Sequence, residues 1–219
     1  MNGWAEFSAA LTLFLLSHVI PVRPPVRPWL VRLLGTRGYL LVYSAVSVLL
    51  LVWLIVAAGR APYLELIPPF DVLRWGPLIV MPLVCLLAVM GLSVANPLSF
   101  GGLGKKPFDP ALPGVLAFTR HPLLLAMIFW ALVHLLANGD LAHVILFGLL
   151  ALFPALSMGL IDRRKQREMG ADWQPLARNT SCLSLRGVRP GLWPMLMAAA
   201  FFLTLLVLHA PVIGVSPLP

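Results

Sequence analysis

Apolar blocks recur along the whole chain, and no polar stretch between them is long enough to build a separate core. A helix needs about 20 mostly apolar residues to cross a hydrocarbon layer about 30 Å thick. Six stretches meet that need, at roughly 4–21, 38–58, 75–95, 120–138, 141–160 and 192–213. The second is the cleanest: no charge interrupts Tyr39 to Ala58, and Tyr39, Tyr43 and Trp53 are suited to the membrane interfaces. Pro77 and Pro82 fall inside the third and predict a kink, because each removes a backbone donor. Asn138-Gly139-Asp140 alone joins the fourth and fifth stretches, a turn composition that predicts a tight helical hairpin. Beyond the fifth, Asp162 to Leu176 mixes charges and then reaches Gly170, which reads as a helix leaving the membrane and ending at the glycine. The pattern predicts an all-α fold, a polytopic membrane bundle of about six transmembrane helices in a single domain over residues 1–219.

Composition excludes a water-soluble alternative. The chain is 60% hydrophobic and 11% charged, whereas a soluble domain carries about 25% charged residues. Orientation follows from the 16 Lys and Arg, since loops on the cytoplasmic side retain positive charge. Arg23, Arg27, Arg32 and Arg37 follow the first stretch; Lys105, Lys106 and Arg120 follow the third; Arg163, Arg164, Lys165, Arg167, Arg178, Arg186 and Arg189 follow the fifth. Only Arg60 and Arg74 fall on the other side, where Glu65 and Asp71 balance them, so both termini are expected to face out. The net charge of +8 is then mainly a topology signal. Nucleic-acid binding would call for basic and aromatic residues interleaved on a folded platform, which the sequence lacks. Glu6 as the first charge, and a Pro/Arg segment after Leu11–Ile20, read against a removable signal peptide. Cys85 and Cys182 lie far apart with no Cys-x-x-Cys spacing, which leaves no disulfide framework, structural zinc site or iron–sulfur cluster.

Histidines in or near the spans are the first candidates for chemistry, because an ionisable group in hydrocarbon is costly unless it has a partner or a task. His143 and His209 read as interfacial or interhelical hydrogen-bonding residues. His18 and His134 are flanked on both sides by apolar residues, in Leu15-Leu16-Ser17-His18-Val19-Ile20 and Trp130-Ala131-Leu132-Val133-His134-Leu135-Leu136. Neutral imidazole there suits an axial ligand of haem iron. The run Thr119-Arg120-His121-Pro122 supports two readings. In one, Pro122 opens a helix, Thr119 caps it and Arg120 reaches the headgroups. In the other, Arg120 binds an acidic group of a ligand while His121 ligates or transfers protons. The basic segment from Asp162 likewise fits a helix end that contacts anionic lipid.

Several of these runs carry a resemblance. Asn96-Pro97-Leu98-Ser99-Phe100-Gly101-Gly102, Thr119-Arg120-His121-Pro122, Trp130 to Asp140 and the early Ser17-His18 resemble the NnrU family of bacterial inner-membrane proteins, over nearly the whole chain. The chain is also similar to 15-cis-zeta-carotene isomerase, which shares Arg-His-Pro followed by Trp-x-x-x-His. The resemblance implies a multi-pass protein of the bacterial inner membrane associated with denitrification, that is with nitrite and nitric oxide reduction. From the isomerase it implies haem b, with His18 and His134 at the ligand positions and possible isomerase-like or redox activity. The isomerase's cysteine ligand falls on Ala131, so its ligand-swapping step has no residue here. The partners implied are the lipid bilayer, a small apolar substrate or nitric oxide, and respiratory reductase components.

The ligand pair stays open between two choices. His121 and His134 are 13 residues apart, about 20 Å along one helix, so they do not share an iron. His18 with His134 is the leading pair and His18 with His121 the rival, the latter matching better in depth. Arg-His-Pro followed by a hairpin and a cytoplasmic Gly-x-x-aromatic segment also resembles membrane methyltransferases that bind S-adenosylmethionine, although their acidic pair reads Ile161-Asp162-Arg163 here. A third reading is a non-enzymatic assembly partner of a respiratory reductase. No carboxylate series runs through the spans as in an ion pump, and no inverted halves suggest a secondary transporter.

Overall fold

A chain in hydrocarbon must satisfy its backbone N–H and C=O groups internally, so the apolar blocks become helices. The computed structural model describes residues 3–185 and 188–218; Arg186, one of the basic residues in the orientation argument, lies outside them. Among the described residues the helices are α1 (Gly3–Val19), α2 (Val26–Arg60), α3 (Asp71–Ser93), α4 (Val115–Phe118), α5 (Pro122–Asn138), α6 (Leu141–Met169), α7 (Trp173–Ala177) and α8 (Leu192–Ile213), with a 3-10 turn over Gly170–Asp172. Extended pairing among them is limited to an isolated bridge between Glu65 and Asp140.

Among the described residues four helical stretches are long and apolar enough to cross a membrane: α2, α3, α6 continued to Ala177, and α8. By the length and composition of these helices the chain is a membrane protein. The remaining two of the six expected spans, α1 and α5, form helices of 17 residues each. The basic segment expected as a loop after the first span is mostly helix, for α2 starts at Val26 and passes through Gly35, whose φ of 69° breaks the helical path. Arginines have good helix propensity, and the Pro24-Pro25 pair ends before Val26, so only Arg23 of that group precedes the helix. The fourth span begins at Pro122, two residues later than its apolar run, because proline's fixed φ opens a helix readily. Gly170, at φ 55°, ends α6 where the sequence placed its stop.

The chain groups into two units, Met1–Pro68 with Gly139–Leu146, and Pro69–Asn138 with Phe147–Pro219. In the first, α1 packs on α2 through Phe7, Ala10, Phe14, Leu54, Ala57 and Ala58, all buried. Glu6 accepts hydrogen bonds from the Trp53 indole at 3.3 Å and from Arg60 at 3.2 Å, so Arg60 is balanced from α1. The Gly139 carbonyl accepts from the amides of Leu66 and Ile67, and the Leu141 amide donates to Leu64. Gly139 is required there: its φ is 70°, and a Cβ would meet the Ile67 carbonyl oxygen at 2.5 Å.

In the second unit α3 is central, with α5 and α8 packed on it. Gly91 lets α5 approach, since a Cβ at that position would lie 2.7 Å from Pro122 Cγ. Gly159 on α6 meets nothing within 4 Å. The pair yields a test: Gly91→Val is expected to lower the thermal midpoint in detergent, overpacking costing about 1–3 kcal/mol of stability. Gly159→Ala is expected to raise it slightly, the loss of glycine's chain freedom adding about 0.5–1 kcal/mol of stability. Equal midpoints for the two variants would contradict this packing.

Candidate functional site

Three chain segments of the second unit converge on one carboxylate. The first is the turn after α3, which the Asn96 side chain shapes. Its Oδ1 accepts from the amides of Leu98 and Ser99 at 3.1 Å each, and its Nδ2 donates to the Arg120 carbonyl at 2.8 Å. The Leu103 amide returns to the Leu92 carbonyl, closing the turn on the end of α3. The second segment runs from α4 to α5, and Ser181 and Ser184 bond it to the third. The Arg120 amide donates to the Ser181 carbonyl, the Ser181 amide to Leu116, and the Ser184 amide to Phe118. Thr119 Oγ1 donates to the Cys182 carbonyl at 2.7 Å and accepts from the His121 amide at 3.1 Å. Pro122 opens the helix as expected, whereas Thr119, expected to cap it, ends α4 and bonds the amide of His121 just before α5.

Asp162, projecting from α6, is the carboxylate. Arg120 grips it with two bonds, Nε to Oδ1 at 3.2 Å and Nη2 to Oδ2 at 2.5 Å. This paired geometry suits a planar guanidinium and is unavailable to lysine. The remaining Nη1 faces the carbonyl and hydroxyl of Thr180, and the Trp173 ring lies 5.7 Å from the guanidinium carbon. Arg120 therefore binds an acidic group, as one sequence reading has it, but that group is Asp162. With 14% of its side chain exposed it does not extend to headgroups, because a buried partner offers a stronger charge-assisted bond than water does.

His121 is fully enclosed. Its Nε2 lies 3.1 Å from Asp162 Oδ1 and its Nδ1 2.8 Å from Ser99 Oγ. A carboxylate only accepts, so Nε2–H donates a hydrogen bond to Asp162 and Nδ1 accepts one from the serine hydroxyl. Burial holds the His121 imidazole below its usual pKa of 6.5; Asp162 acts in the opposite direction and Arg120 adds to the lowering. Cys182 brings its sulfur to the same place, within 4.8 Å of the other two donor groups. Burial and then Asp162 push that thiol upward. His, Asp and Cys are donor types for a zinc-like ion, yet both oxygens of Asp162 are already taken and a guanidinium stands beside them. The arrangement fits an internal ion-pair network.

The other histidines lie elsewhere. His18, in the first unit, has Nδ1 2.8 Å from the Phe14 carbonyl oxygen, with the Phe14 and Tyr43 rings at 4.3 and 5.9 Å. His134, in the second unit, has Nδ1 2.7 Å from the Trp130 carbonyl oxygen, with the Trp130 and Phe147 rings each at 5.4 Å. A carbonyl only accepts, so in both residues Nδ1 carries the proton and Nε2 presents its lone pair. Among the described residues neither Nε2 has a hydrogen-bond partner. His143 bonds Asp140 at 2.6 Å and His209 bonds the Val215 carbonyl at 2.8 Å, local bonds at the ends of their own helices rather than interhelical ones. Sequence reasoning missed Ser99, Asp162 and Cys182 as members of the cluster. For Asp162 a signal existed, since it is the first charge after the apolar run of α6.

Two predictions follow from the cluster. Asp162→Ala strands a buried guanidinium and is expected to cost about 3–5 kcal/mol, while Arg120→Met with Asp162→Leu recovers part of the loss, the enclosed His121 Nε2–H being left without its acceptor; chemical denaturation in mild detergent reads both. For pH, the fold prefers neutral His121. The unfolded chain therefore takes up the proton first, and stability that is complete above pH 6.5 declines below it. The thermal midpoint of the wild type is expected to fall more steeply below that pH than that of His121→Gln, and parallel curves would contradict the assignment.

Comparison with known proteins agrees with the sequence runs noted above. The family model described as NnrU protein matches residues 6–217. No curated protein and no solved structure matches the chain. A match of that extent, on a helical membrane chain whose Arg-His-Pro run is built into the fold, places the protein in the NnrU family.

Proposed function

We propose that this NnrU-family protein binds haem b through imidazole, with His18 and His134 as the ligands, and serves nitrite or nitric oxide reduction in the bacterial inner membrane. The observation that carries the reading is shared by the two residues. Each fixes Nδ1–H on the carbonyl four residues earlier and leaves Nε2 as a lone pair, with two aromatic rings within 6 Å of the imidazole. Metal-ligating histidines characteristically donate their second ring nitrogen in this way, which sets the tautomer and raises the basicity of the ligating atom. Each imidazole, taken by itself, is of the kind that ligates haem iron. His121 supports the choice by contrast, because both of its ring nitrogens are engaged and ligation would forfeit a buried bond to Asp162 or Ser99. Haem bound in this way supplies a one-electron redox couple. The protein's part is to hold the imidazoles in one tautomer and to keep water from them with Phe14, Tyr43, Trp130 and Phe147.

The association with denitrification rests on the family resemblance. The methyltransferase-like alternative loses support from Arg120, whose guanidinium is committed to Asp162. An optical spectrum of detergent-purified protein from haem-replete cells, oxidised and then dithionite-reduced, tests the proposal. The expected result is a Soret band with haem b bands on reduction, lost or shifted in His18→Ala and in His134→Ala and kept in His143→Ala and His209→Ala. A wild type without a Soret band would overturn haem binding. Loss in His121→Ala with retention in His134→Ala would move the ligand to the rival residue.

A further inference from the structure

The charges at the end of α6 divide into two sets. Arg164 bonds Glu168 at 3.2 Å and Lys165 lies 4.0 Å from the same carboxylate. Asp162 points inward to Arg120. Arg163 and Arg167 have no carboxylate partner among the described residues, and with Leu160 and Gln166 they line a shallow concavity. At 100° per residue the two arginines fall on one helix face together with Leu152, Leu156 and Leu160. These three leucines are all more than half exposed. One stripe of α6 thus runs from apolar to doubly cationic over about four turns, while the adjacent faces hold paired or buried charges.

We infer that this stripe is a binding site for one anionic glycerophospholipid. Its acyl chain would lie along Leu152, Leu156 and Leu160, and its headgroup phosphate would sit between Arg163 and Arg167 with Gln166 as a further donor. Charge complementarity argues for this occupant. Two unpaired guanidiniums about one helical turn apart match a single phosphate, and guanidinium is the side chain best shaped to bond it. The apolar continuation matches a lipid better than a soluble phosphate. An acidic protein segment would leave the leucines uncovered. The expectation from positive charge puts this end of α6 at the cytoplasmic leaflet, where anionic lipid is concentrated.

Native mass spectrometry of the full-length protein, titrated with dioleoylphosphatidylglycerol or dioleoylphosphatidylcholine, tests the site. The wild type is expected to retain one phosphatidylglycerol in preference to phosphatidylcholine. Arg163→Gln with Arg167→Gln is expected to weaken that retention roughly fivefold for each arginine. Arg164→Gln with Lys165→Gln removes the same charge from the same helix and is expected to leave the preference intact. Millimolar glycerol 3-phosphate is expected not to displace the lipid. Equal retention of the two lipids by the wild type, equal loss in the two double variants, or displacement by glycerol 3-phosphate would each overturn the site. Should the Arg163/Arg167 variant fail to fold, the wild-type comparison of the two lipids still decides.

Discussion

The Asp162 carboxylate is the constraint on which the second unit depends. It receives Arg120 in a two-bond grip and His121 in a third bond, and those two residues stand immediately before α5. Through Arg120 the same carboxylate reaches Thr180, and through His121 it reaches Ser99. The ends of α3, α5 and α6 and the segment after α7 are thereby fixed at one place. Such a network is worth having only if every member is satisfied, since one lone buried charge costs more than the pair contributes. Here the members are satisfied: Arg120 is bonded at three nitrogens, and His121 at both.

This network divides the histidines by chemistry. His121 has spent both nitrogens on the protein and serves as a structural relay between Ser99 and Asp162. His18 and His134 have spent one nitrogen each, on a carbonyl of their own helix, and keep the other as a lone pair. His18 and His134 share this local device, each with two aromatic rings within 6 Å of the imidazole. A metal-ligating imidazole uses the same tautomer, which is the ground on which haem ligation is proposed for them. The arginines proposed to hold a lipid lie on a different face of α6 from Asp162.

Hydropathy made most of the helical architecture legible. The last span, Leu192–Ile213, falls on its predicted limits, and the Gly170 stop and the Asn138-Gly139-Asp140 turn stand where their residues placed them. What the pattern could not give was the start of α2, since hydropathy is silent on whether a basic segment such as Arg27 to Arg37 is helical or looped. The site was half legible. Arg120 and His121 stood out by their type and their place beside Pro122, and His18 and His134 by their apolar surroundings. Their partners did not. Ser99 and Asp162 reach His121 across 22 and 41 residues of sequence, and only the packing of α3, α5 and α6 brings them together. Nor does sequence reveal which ring nitrogen a histidine gives to its own helix, although that choice decides which imidazole can ligate.

The contrast between the imidazoles is the central claim, and nitrogen NMR of the ring atoms addresses it most directly. In ¹⁵N-histidine-labelled protein prepared without haem, at a pH above 7, the account predicts that His18 and His134 carry the proton on Nδ1 with an unprotonated Nε2. For His121 it predicts the reverse, with Nε2 protonated and Nδ1 bare. A proton on Nε2 of His18 or His134 would contradict the account.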